Sequence, residues 1–87
     1  MTVYRRNPSV LWRRVGSQII LAPADRDDFS RLSETGAQAW LLLESPMSDE
    51  DLTAGLASLY DIPAQQISAP VDALLEQLRD LRAVEVV

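Results

Sequence analysis

The stretch Phe29-Ser30-Arg31-Leu32-Ser33-Glu34-Thr35-Gly36-Ala37-Gln38-Ala39-Trp40-Leu41-Leu42-Leu43 changes period halfway along. Phe29 to Leu32 reads as a short extended piece. Ser33 offers a helix cap, and Ala37, Trp40 and Leu41 follow at i, i+3, i+4, the spacing of one helical face. A strand that turns at once into a helix carrying a tryptophan sets the angle between sheet and helices. Gly36, inside the first helical turn, costs about 0.5–1 kcal/mol against Ala; a close neighbouring backbone would explain it. Pro46 disfavours helix at Ser45, so this helix is expected to end near Glu44.

Upstream of that corner, Val10 to Val15 reads as a strand. Gly16-Ser17 reads as a two-residue hairpin turn and Gln18 to Leu21 as the return strand, with a β-branched pair at Ile19-Ile20. Ala22 to Asp28 is expected to be a loop. Met1 to Ser9 is expected to be an irregular lead-in, leaving residues 10–87 as the domain. Downstream, Ser48 caps a second helix whose first turn carries Asp49, Glu50 and Asp51. Its apolar set is Leu52, Leu56, Leu59 and Tyr60, with an end near Tyr60. A third helical pattern runs through Ile67, Val71, Leu74, Leu75 and Leu78. Either it starts near Ser68 with Pro70 in its first turn, or it starts near Ala64 and is kinked at Pro70. The first is preferred, with a separate turn over Ala64 to Ile67. A short extended tail, Val84 to Val87, closes the chain. The order β-β-β-α-α-α defines an α+β domain with a three-stranded antiparallel sheet and helices packed on one side.

Composition narrows the function. The 87 residues contain no histidine and no cysteine. That inventory leaves no disulfide framework, no ordinary zinc site and no Ser-His or Cys-His nucleophile pair. No apolar run approaches the ~18 residues of a membrane span, and no signal peptide follows Arg5-Arg6. A reduced cytoplasmic protein with no catalytic site, no cofactor and no membrane partner is expected. Net charge is −5, and all eight basic residues are arginine. Six of them fall in the first 31 positions, leaving only Arg79 and Arg82 beyond. The late helices are therefore acidic, which disfavours a nucleic-acid partner there.

Each candidate site competes with a plainer reading. Asp49-Glu50-Asp51 suits the helix dipole better than a metal. Asp25, Asp27 and Asp28 read as a solvated loop rather than acid–base machinery. Trp40 reads as core, whereas Trp12, beside Arg13 and Arg14, is balanced between core and a stacking site. The Phe29–Leu32 strand, if it lies at a sheet edge, presents free backbone groups to which a peptide or a second copy could add. Charge at Asp28 and Arg31 argues for a blunted edge instead.

From Leu21 onward the chain resembles the PqqD-like family, the recognition elements of ribosomally synthesised and modified peptides. The resemblance rests on Phe29 to Leu43, on Leu52 to Tyr60, and on Val71, Leu74, Leu75 and Leu78, in that order. Two positions depart from the pattern. Pro70 stands where an Asp is usual, and Arg82 stands near a usual Gly. The resemblance implies a winged helix-turn-helix-like fold that binds the leader of a precursor peptide. The leader would add antiparallel to the third strand and pack against the third helix. Asp28, Phe29, Ser30, Arg31 and Leu32 would supply the edge. Leu75, Arg79 and Arg82 would form the groove wall, with Arg31, Arg79 and Arg82 suited to acidic leader side chains. The implied partners are that leader and a modifying or processing enzyme of a pyrroloquinoline quinone, lasso or related pathway. A winged-helix DNA-binding module and a module dimerising through the strand edge are the alternatives.

Overall fold

The computed structural model describes residues 2–22 and 29–87. Two three-stranded antiparallel sheets and three helices make an α+β fold. The first sheet has the order β2-β3-β4, formed by Leu11–Val15, Gln18–Ala22 and Ser30–Ser33. Gly16 supplies the hairpin turn, with φ 61°. Cross-strand pairs such as Ile19 with Leu32 put alternate residues on one face. On the inner face Ile19, Leu21 and Leu32 are buried. The outer face carries Leu11, Arg13, Ile20 and Arg31.

Residues 1–9 were expected to be irregular, and here the structure differs. Val3–Arg6 forms β1, the middle strand of a second sheet with the order β5-β1-β6, where β5 is Met47–Ser48 and β6 is Val84–Val86. Tyr4 pairs with both Met47 and Val86. This sheet joins the two ends of the chain to its middle, so no local signal announces it. Asn7 and Pro8 do make a turn: Asn7 Oδ1 accepts a hydrogen bond from the Ser9 amide at 3.0 Å.

The helices are α1 (Thr35–Leu42), α2 (Asp49–Tyr60) and α3 (Ala64–Asp80). Ser33 is not the cap of α1. It ends β4, paired with Gln18, and the cap position falls to Glu34, which makes no side-chain capping bond. Helix α2 starts as expected, with Ser48 Oγ accepting from the Asp51 amide at 3.0 Å. Its buried residues are Leu52, Thr53, Leu56 and Ala57, while Leu59 and Tyr60 in the last turn stay exposed. Helix α3 is continuous from Ala64, with Pro70 inside it. The start near Ser68 is therefore corrected. Pro70 and Gln66 are both exposed, so the Gln66 carbonyl that loses its helical donor lies on the solvent side of α3 rather than against the core. The helix closes with Arg82 in the left-handed region at φ 57°. The Arg82 amide donates to Arg79 O and the Ala83 amide to Leu78 O, a Schellman arrangement. Arg82 thus occupies a position that glycine would take without strain.

Sheet β2-β3-β4 and the helices share one core. Trp40, Leu21, Leu52, Leu56, Val71 and Leu78 are wholly buried. Arg6 ties the two sheets together. Its guanidinium lies 4.8 Å from the Trp12 ring centroid and 4.9 Å from that of Trp40, and it donates to Trp40 O. The two rings meet edge to face, 6.1 Å apart. Burial lowers the Arg6 pKa from its ordinary value, and the negative charge of Glu44 works the other way. Trp12 is therefore chiefly architecture.

Candidate functional site

Strand β4 lies at an edge of its sheet, because only β3 pairs with it. Its register, Gln18↔Ser33 through Leu21↔Ser30, leaves its other side without a ladder partner among the described residues. The strand begins at Ser30, one residue later than the Phe29 start read from the sequence. Phe29 precedes the strand and is 68% exposed. Asp28 lies outside the described residues. Leu32 turns inward and is buried, while Arg31 alternates outward and is exposed.

The opposite edge, β2, is of a different kind. Trp12 on its inner face packs against Arg6 and Trp40 and is 41% exposed. Arg13 and Arg14 sit on its exposed length, and charge of that sort blunts an edge. Beside β4 the inner face instead meets α1 and α3. A Cβ placed on Gly36 would lie 3.5 Å from Leu74 Cδ1 and 3.6 Å from Leu32 Cβ. Leu32 of the edge strand, Gly36 of α1 and Leu74 of α3 thus converge on one spot. These neighbours are side chains at ordinary contact distance, so no backbone crowding explains Gly36.

Leu75, not Leu74, belongs with Val71 and Leu78 in the core, at 2% exposure. Leu75 and Arg79 line a hollow of about 400 Å³ with Tyr4, Asp49, Asp72 and Glu76. That flank faces β1 and the start of α2, away from β4. At 100° per residue, Leu74 stands about 100° round the helix from Leu75, and Gln77 and Leu81 follow Leu74 on the same flank. Leu74 and Leu81 are half-buried, packed against the core. Arg82 lies past the helix end, where its carbonyl accepts from Asn7 Nδ2 at 2.9 Å. Arg31, Arg79 and Arg82 therefore do not form one cluster. Arg31 is on the outer sheet face, Arg79 on the far flank of α3 and Arg82 in its terminal turn. Leu74 and Gly36, which lie beside the edge strand, were not among the site residues expected from sequence. Gly36 gave the one available signal, a helix-weakening residue with no local reason to be there.

Among the described residues no group of three His, Cys, Asp or Glu is placed to hold a metal ion. No helix among them is long and apolar enough to cross a membrane.

An exposed strand edge flanked by a helix defines a class of binding fold, and comparison with known proteins gives the family. Residues 18–84 match the PqqD model, described as coenzyme PQQ synthesis protein D. The chain belongs to the PqqD family. In fold it is similar to TbiB1, solved in complex with the TbiA(beta) leader peptide, with a TM-score of 0.83 and 16% sequence identity. The match covers 93% of this chain and 94% of that one. No curated protein matches the chain.

Proposed function

We propose that this chain recognises the leader of a ribosomally synthesised precursor peptide and presents it to a modifying or processing enzyme, doing no chemistry itself. The observation that carries the reading is the β4 edge. The side of β4 turned away from β3 has no ladder partner among the described residues, and an apolar spot between Leu32 and Leu74 lies immediately beside it. An extended peptide gains main-chain hydrogen bonds from such an edge and side-chain specificity from the adjoining helix. Family membership and a similar fold solved with a leader peptide support the same ligand. The edge residues are Ser30, Arg31, Leu32 and Ser33, with Phe29 at the entrance. The wall is Leu74, in place of Leu75, Arg79 and Arg82.

Tethering a peptide beside its enzyme replaces a dilute encounter by a local concentration on the order of millimolar when the link is short and flexible. Pathways that make pyrroloquinoline quinone or lasso peptides fit this role, in the cytoplasm where a precursor is made. The DNA-binding alternative has no support on α3, whose exposed residues include Asp72 and Glu76.

The test is fluorescence anisotropy with a labelled synthetic leader from the precursor encoded beside this chain, against random duplex DNA. Saturable leader binding with no DNA binding is the expected result. Salt-sensitive DNA binding without leader binding would overturn the reading. Sedimentation of the free protein separates edge-to-edge dimerisation from peptide capture.

A further inference from the structure

Gly36 lies in helix α1, where glycine weakens a helix and alanine would strengthen it. Nothing in the free protein requires it. Gly36 does not take a positive φ, since Gly16 alone does so among the described glycines. A methyl group there would meet Leu74 Cδ1 at 3.5 Å and Leu32 Cβ and Cδ2 at 3.6 Å, all ordinary contacts. The free protein would accept alanine and gain stability by it. Yet the methyl would land between the edge strand and α3, at a half-buried position open to an approaching chain. We infer that Gly36 keeps open a slot one methyl wide between Leu32 and Leu74, which receives an apolar side chain of the added peptide strand and selects that side chain by size.

The inference rests on the reading of β4 as the peptide-binding edge. An added strand alternates its side chains, so those pointing inward meet the Leu32 side of the sheet. A side chain reaching past Leu32 towards α3 would touch the Gly36 Cα directly. A methyl group there displaces that chain without altering the strand edge.

The experiment uses the full chain and the same labelled leader peptide. Gly36→Ala is expected to raise Tm by about 3–8 °C, from the helix propensities of the two residues and the size of the domain. It is expected to weaken leader binding at least about tenfold, the scale of overpacking a fitted contact. Alanine substitution along the peptide then locates the slot. The apolar position whose truncation costs most against the wild type should cost little against Gly36→Ala, while the other positions keep their effects. Equal leader affinity for wild type and variant overturns the inference and leaves the β4 reading intact. So does a loss of affinity that no single peptide position accounts for. A fall in Tm would show that the methyl does not fit, and overturns it too. A wild-type chain that binds no leader overturns both.

Discussion

Glu34 sits at the corner between β4 and α1 with φ 52° and ψ −119°. That is the backbone of the first central residue of a type II′ turn, a place dominated by glycine. A non-glycine residue held in so sparse a region costs about 1–3 kcal/mol. Replacing it with glycine removes that strain, but glycine also loses about 0.5–1 kcal/mol more on folding. Taking about 2 kcal/mol of strain against about 0.7 of added entropy, Glu34→Gly should stabilise the chain by roughly 1–1.5 kcal/mol. For a domain of this size that raises Tm by about 5–10 °C. The Glu34 side chain is exposed and makes no capping bond, so Glu34→Ala separates backbone from side chain. Alanine keeps the strain and should melt within about 2 °C of the wild type, as surface changes usually do. Thermal unfolding followed by circular dichroism measures all three. Equal Tm values for the glycine and alanine variants would refute the reasoning, because the backbone would then not be strained.

Further outcomes follow from the packing. Arg6→Met should destabilise by about 1–3 kcal/mol in urea unfolding, through loss of the stack on Trp12 and Trp40 and of the bond to Trp40 O. Arg5→Ala, which breaks only the exposed pair with Glu85, should cost under about 1 kcal/mol in the same assay. Ser48→Ala removes the cap on the Asp51 amide and should lower stability by about 1 kcal/mol, read from the urea midpoint. Leu75→Ala and Leu74→Ala should divide the two roles on α3. The first should cost about 2–5 kcal/mol of stability as a cavity in the core, and the second should cost less stability but more leader affinity.

What could be read in the chain was what is local. The Gly16 hairpin, the Ser48 cap and the end of α2 at Tyr60 each depend on residues a few positions apart, and each appears where expected. The corner between β4 and α1 was also legible, though one residue out, because the ladder to Gln18 holds Ser33 in the strand. The second sheet was not legible. Its pairing of Arg5 with Glu85 spans nearly the whole chain, and Val3 to Arg6 carries no period of its own. Nothing local to Arg6 points to its place between two tryptophans, which the second sheet creates. On α3 the apolar spacing identified the buried side but not its rotation. Leu74 and Leu75 are neighbours, and only tertiary packing turns one towards β4 and the other towards Tyr4. Pro70 reads as a break in sequence, yet its exposed position lets the helix run through it. The proposed site was thus half visible, as an edge strand without the wall proposed at Leu74.

Amide hydrogen exchange of β4, with and without the leader peptide, tests strand addition most directly. In the free protein the amides of Ser30 to Ser33 that point away from β3 have no ladder partner among the described residues and should exchange readily. On saturation with leader, alternate amides of that segment should gain protection, because an added strand bonds every second residue of its neighbour. The amides of β2 and β6, the exposed edges elsewhere, should keep their rates. Protection that appears along Leu11–Val15 or Val84–Val86 and not on β4, or binding that leaves the β4 amides unchanged, would contradict the peptide-edge reading.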